Sequence, residues 1–229
     1  IHFLAKLNLP FWKIPSGEIT NLPYLLEIAK TGKPIVMSTG MAELEEIGEA
    51  IRILKENGSS DITLLQCHTD YPTAMENVNL RVMDTLKKTF HAPIGLSDHS
   101  IGIEVPIAAV AMGATVIEKH FTLDRNMEGP DHKASIEPKE LKDMVRSIRN
   151  IELALGDGVK TCSNVEKPNI IVARKSIVAK KDIKQGEVLT EDNITTKRPG
   201  NGISAMKWFD VLGTRAVRDF EEDELICLE

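Results

Sequence analysis

Two of the six histidines in this sequence, His99 and His120, sit in matching places. Residues 93–121, PIGLSDHSIGIEVPIAAVAMGATVIEKHF, read as strand, loop, short apolar helix and strand. Each strand ends in a polar cluster with an imidazole, Ser97-Asp98-His99 and then Glu118-Lys119-His120. In a parallel α/β fold the C-terminal strand ends share one face, where ligands bind. Consecutive strands would deliver both rings to that face, where they could hold one metal ion. Imidazole pairs alone suit zinc or iron as readily as manganese. Two ordinary strand-end histidines would look the same, so the other strand ends must decide.

Those ends are rich in ligand chemistry. The first supplies Lys13, Ser16 and Glu18, and the second Ser38, Thr39 and Gly40. The third supplies Thr69, Asp70, Tyr71 and Thr73, and Asp131 lies in the loop after the fifth. Hydroxyls beside small residues suit phosphate oxygens, because backbone N–H groups can approach alongside them. A lysine inside the apolar run FWKI is costly to bury without an anionic partner. The implied ligands are a phosphorylated anion, a divalent metal and a polyhydroxylated partner met by Glu18 and Asp131. Other residues read as framework. Cys67 is expected to be a packing thiol, Trp12 and Trp208 to be core or interface, and His68 to face solvent or core. His91 reads as a loop residue, and His132 and Lys133 as groups that orient the Asp131 loop.

The elements that must position these groups alternate regularly. Strands are expected at 11–14, 34–38, 62–67, 94–97 and 115–120, with helix-like segments between them. In one helix Leu44, Ile47, Ile51 and Leu54 fall at helical spacing, with Glu residues in the opening turns and Gly58 suited to the end. Another opens at 135–140, carries a stripe of Leu141, Val145, Ile148 and Ile151, and stops at Gly156. Strands alternating with helices predict an α/β fold with a parallel sheet. Five βα units make either an open sheet or the C-terminal five units of an eight-stranded TIM barrel. The start without Met, already resembling the tail of a helix, favours the barrel with its first three units absent. Residues 1–156 form this partial barrel, and 157–169 read as a polar linker. Residues 170–229, with short β-rich pieces broken by Gly, Pro and Asp-Asn, form a small, mostly β second domain.

Composition excludes several classes. The net charge is −6 over 229 residues and the pI is about 5.6, with no basic stripe. That argues against nucleic acid or an anionic membrane as partner. Three scattered cysteines, Cys67, Cys162 and Cys227, suit a reducing cytoplasm better than a disulfide framework. There is no run of 18 apolar residues and no basic-then-apolar leader.

The motifs KIPSGE (13–18), MSTGM (37–41), CHTDYPT (67–73), GLSDHS (95–100), EKHFT (118–122) and GPDHKAS (129–135) together resemble the sialic acid synthase family, the N-acetylneuraminate synthases. The tail from about residue 171, with KRPGNGIS at 197–204, resembles their C-terminal antifreeze-like (SAF) domain, a β-clip. The resemblance implies condensation of phosphoenolpyruvate with an N-acetylated amino sugar, giving a nine-carbon 2-keto acid and phosphate. It implies His99 and His120 as ligands of manganese, with magnesium or cobalt as alternatives, and a catalytic role for both and for Lys13. Lys13, Ser16, Ser38 and Ser97 would hold phosphoenolpyruvate, while Glu18, Tyr71 and Asp131 would face the open-chain sugar. Arg198 would reach the sugar's N-acetyl end across a domain-swapped homodimer.

Pro15 stands where relatives often have glycine, and Thr69 where some carry asparagine. The acidic residue and further lysine contacts that the family's early strands contribute are not among these residues, so little synthase activity is expected of the chain alone. Legionaminic and pseudaminic acid synthases share the motifs and differ in a deoxy, diacetamido acceptor. A competing class is a non-catalytic carbohydrate or ice-surface binding module built on the tail, which leaves the two histidines unexplained.

Overall fold

Five short apolar runs pair in the order in which they occur. They are β1 (Trp12–Ile14), β2 (Ile35–Ser38), β3 (Ile62–Cys67), β4 (Ile94–Asp98) and β5 (Val116–Lys119), and every neighbouring pair is parallel. The computed structural model describes residues 1–229 and divides them into two compact units, Ile1–Gly158 and Val159–Glu229. No helix is long and apolar enough to cross a membrane.

In the first unit a short α1 (His2–Ala5) precedes the sheet, and α2 (Leu22–Ala29), α3 (Leu44–Glu56), α4 (Val82–Phe90) and α5 (Glu104–Ala111) connect its strands. After β5 comes α6 (Pro138–Leu155). The expected stripes hold with shifts. Ile47, Ala50, Ile51 and Leu54 are the buried positions of α3, and Leu44 is exposed. On α6 the buried residues are Met144 and Ile148, while Val145 is exposed, because this helix presents that face to α5. Both helices open on reciprocal carboxylate caps, Glu43 with Glu46 and Glu137 with Glu140, and Pro138 needs no N–H partner in the first turn.

Strand alternation divides the sheet into two faces. Trp12, Ile14, Ile35, Met37, Ile62, Leu64, Ile94 and Leu96 join the helices in one apolar core. The alternate positions include Lys13, Ser38, Cys67, Ser97 and Glu118. The Lys13 ammonium on β1 lies 3.2 Å from the Glu118 carboxylate on β5, the opposite edge of the sheet. Four strand intervals in a flat sheet span about 19 Å, and extended Lys and Glu side chains bridge only about 11 Å together. The sheet is therefore curved into a half-barrel, with these alternate residues on its concave side.

The second unit begins with residues 159–166, and α7 (Lys167–Ala173) starts inside the stretch read as linker. Strands β6 (Ser176–Ala179) and β7 (Ile194–Lys197) pair antiparallel, and isolated bridges tie in Ser204, Leu225, Phe220 and Arg215. A short α8 (Trp208–Val211) completes it. Its core is Ile177, Ala179, Ile183, Leu189, Ile194, Val211, Ala216, Phe220 and Ile226, with Trp208 packed at the margin.

Candidate active site

Three rings meet where the third, fourth and fifth strands end. The centroids of His99 and His120 are 5.2 Å apart, and Tyr71 lies 4.0 Å from His99 and 5.3 Å from His120. Tyr71 comes from the loop after β3, so one ring is drawn from each of three consecutive βα units. His99 is buried, and its Nδ1 lies 2.6 Å from the His68 carbonyl oxygen. A backbone carbonyl can only accept, so Nδ1 carries a proton and Nε2 is the nitrogen left for other partners. The His99 carbonyl in turn takes the Thr73 N–H at 2.9 Å. His68 acts through its backbone, and its own ring turns to Asp70.

Lys13 and Ser97 converge on Glu118, whose two oxygens lie 3.2 Å from the ammonium and 3.1 Å from the hydroxyl. Ser16 is buried, and its Oγ accepts the Gly40 N–H at 2.9 Å. A β-carbon on Gly40 would sit 2.8 Å from Thr69 Cγ2 and 2.9 Å from Ser16 Oγ, so the second strand end approaches the first only because no side chain intervenes. Ser38 is 2% exposed, and its hydroxyl has no protein partner. An unpaired buried hydroxyl is costly, which marks a place for a ligand oxygen or a water.

Cys67 is buried, as expected of a packing thiol, and its Sγ donates to the His68 carbonyl at 3.8 Å. Burial pushes the thiol up, but the nearby polar groups of His99, Ser16 and Ser97 outweigh it and leave Cys67 below the usual thiol range. Burial pulls His99 down, while Cys67, the His68 carbonyl and the Asp98 charge lift it above the ordinary imidazole value. Burial and the nearby negative charges of Cys67, Asp131 and Glu118 all raise the Tyr71 phenol. Those charges put Asp131 within electrostatic reach of the ring cluster, and its backbone caps the turn His132–Ala134.

Glu18, in the turn Ser16–Glu18, accepts the Asn21 side-chain amide at 2.5 Å. Arg198 belongs to the second unit, where its Nε donates to the Ala173 carbonyl at 2.9 Å. Glu118 and Cys67 stand at strand ends in the sequence, but strand-end position alone gives neither of them a role at the site. Alternation finds both, since they share the concave parity of Ser97.

A ring nitrogen about 2.1 Å from a metal puts the ring centroid roughly 3.3 Å from it. Two imidazoles on one ion therefore have centroids no more than about 6.6 Å apart, and His99 and His120 satisfy this at 5.2 Å. No group of three or more His, Cys, Asp or Glu side chains is placed to hold an ion. The protein thus offers two imidazoles within that limit, and any ion they held would need its other ligands from outside this set of side chains.

A curved parallel sheet of five strands with helices between them is a partial TIM-type α/β barrel, and its C-terminal strand ends carry the candidate site. The chain belongs to the NeuB family, whose profile matches residues 1–160, and the SAF domain profile matches residues 174–227. It is 57% identical over 228 residues to the N,N'-diacetyllegionaminic acid synthase of Campylobacter jejuni, covering 99% of this chain and 68% of that one. It is 41% identical to the N-acetylneuraminate-9-phosphate synthase of Homo sapiens, covering 100% and 64%. Among solved structures, the spore coat polysaccharide biosynthesis protein spsE from Bacillus subtilis matches with a TM-score of 0.65 at 36% identity, covering 99% and 68%. The chain thus spans about two thirds of the length of the curated relatives it matches. Metal dependence is a property of the family.

Proposed function

We propose that this chain carries the metal- and phosphate-handling part of a synthase that joins phosphoenolpyruvate to an N-acetylated amino sugar, giving a nine-carbon 2-keto acid and phosphate. The supporting observation is the meeting of His99, His120 and Tyr71 on the concave face that also bears Lys13 and Ser97. Manganese, or magnesium or cobalt in its place, held by His99 and His120, would supply a Lewis acid for the sugar's aldehyde oxygen. The chain's own residues do the rest. The Lys13 ammonium and the hydroxyls of Ser16, Ser38 and Ser97 take the phosphate and carboxylate of phosphoenolpyruvate. They stay aimed as negative charge moves onto the departing phosphate. Carbon C3 of phosphoenolpyruvate bonds to the aldehyde carbon, water adds at C2, and phosphate leaves C2 as the keto group forms. Tyr71 and Asp131 meet the open-chain sugar, with Glu18 beside them. Arg198 of a second copy closes over the N-acetyl end in a domain-swapped homodimer.

The 57% identity to a legionaminic acid synthase favours a deoxy, diacetamido acceptor over N-acetylmannosamine. Calorimetric titration with Mn²⁺ and with phosphoenolpyruvate tests the core of the reading. Mn²⁺ uptake should vanish in His99→Ala, and phosphoenolpyruvate binding should weaken in Lys13→Met. Phosphate release with a panel of acceptors then ranks the sugars. A chain that takes up neither Mn²⁺ nor phosphoenolpyruvate but still binds sugar would be a carbohydrate-binding module instead.

A further inference from the structure

Both imidazoles are preceded by a charged residue, and those two residues form the most deeply buried ion pair in the molecule. The Lys119 ammonium lies 2.6 Å from Asp98 Oδ2, with 2% of each side chain exposed. Asp98 and Lys119 are register partners on β4 and β5, so the pair spans the two strands directly. Alternation sends them to the helix side while Ser97 and Glu118 take the concave side. The ammonium also donates to the Ser100 carbonyl at 2.7 Å, and Asp98 Oδ1 accepts the Ser100 N–H at 2.9 Å. Residues on both sides of His99 are therefore bound to the residue just before His120. His99 has further fixings in the His68 carbonyl and the Thr73 N–H. His120 gains only a backbone bond, its carbonyl accepting the Ile136 N–H at 2.9 Å.

We infer that Asp98 and Lys119 are positioning residues, a clamp on the outer face of the sheet that sets the separation of the His99 and His120 rings on its inner face. Stability alone is a poor reason for such a pair, because apolar residues of similar size usually fold as well or better in its place. A fixed register between two strand ends is what the pair adds. The inference rests on the metal reading given above for the significance of the spacing, but the spacing itself can be measured without metal.

The test replaces the pair with apolar residues, as Asp98→Leu with Lys119→Met, in the full chain. Thermal unfolding should stay close to that of the parent. Mn²⁺ affinity, read from the free-ion electron paramagnetic resonance signal, should fall about 10- to 100-fold, as when an outer partner of a metal ligand is lost. In the metal-free protein the proton–proton Overhauser contact between the two rings should weaken or vanish. A folded double variant that keeps both the ring contact and the Mn²⁺ affinity overturns the clamp. If the parent takes up no Mn²⁺ that depends on His99, the metal reading fails and the ring contact alone decides the clamp. Should the double variant not fold, Asp98→Asn, which keeps the acceptor for Ser100, is judged by the same two signals.

Discussion

Replacing Lys13 with methionine takes one positive charge off the concave face and leaves most of the packing, since methionine keeps an unbranched apolar stem. The folded chain gives up an ion pair with Glu118 and a hydrogen bond to the Ile14 carbonyl, each at 3.2 Å. Both ion-pair partners are open to water, with side-chain exposures of 28% and 40%. Two charges at that separation attract by about 5 kcal/mol at an effective dielectric constant near 20. Desolvation and lost side-chain freedom offset nearly all of it, and exposed pairs contribute about 0–1 kcal/mol net. For a unit as large as Ile1–Gly158, that is a change in Tm of about 2–4 °C at most. Phosphoenolpyruvate binding should respond far more. A charge-assisted hydrogen bond is worth about 1.5–3 kcal/mol, or roughly a 10- to 100-fold rise in Kd. Thermal melts followed by circular dichroism and calorimetric titration at fixed ionic strength measure the two effects on one preparation. A variant that loses more than about 10 °C yet binds phosphoenolpyruvate as the parent does would refute this reasoning and make Lys13 a structural strut.

Three more substitutions probe the same face. Glu118→Gln keeps an acceptor for Ser97 but removes the anion that occupies Lys13. Phosphoenolpyruvate should bind roughly threefold tighter or more by calorimetry, and weaker binding would mean that Glu118 orients the lysine instead of competing for it. Gly40→Ala places a methyl 2.8 Å from Thr69 Cγ2 and 2.9 Å from Ser16 Oγ. Overpacking of that kind costs about 1–3 kcal/mol, so the urea midpoint and phosphoenolpyruvate affinity should fall together, and an unchanged midpoint would show that the loops yield freely. Asp98→Ala strands the Lys119 ammonium at 2% exposure with only the Ser100 carbonyl. Breaking a buried pair costs about 3–5 kcal/mol, which lowers the urea midpoint by more than about 1 M. A shift too small to resolve would mean that water reaches the pair.

The βα rhythm was legible because periodicity and cap residues are local properties of the chain. Boundaries moved by a residue or so, as where β1 begins at Trp12 and leaves Phe11 exposed. What local pattern could not supply was curvature. Lys13 reads as a lysine needing some anion, but nothing near it in sequence says that the anion is Glu118, at the other edge of the sheet. Cys67 shows the same limit of local pattern. A thiol in an apolar run reads as a small hydrophobe, and its character here depends on His99 and Ser16, which strand pairing brings to it. Glu18 has a local partner as well, its carboxylate accepting the Asn21 side-chain amide three residues on.

Alternation also explains why charge clusters so densely at these strand ends. A residue at a parallel strand end must face either the helices or the concave mouth, and SDH and EKH put their middle residue on the helix side. An unpaired charge there would be expelled or neutralised, so a lone aspartate or a lone lysine at that position would not be stable. Opposite charges on adjacent strands at the same register solve the problem at both ends at once. The outer flankers, Ser97 and His99 on one strand and Glu118 and His120 on the next, are then left to the mouth. The polar residues that bind one another on the helix side thus determine which polar residues face the mouth.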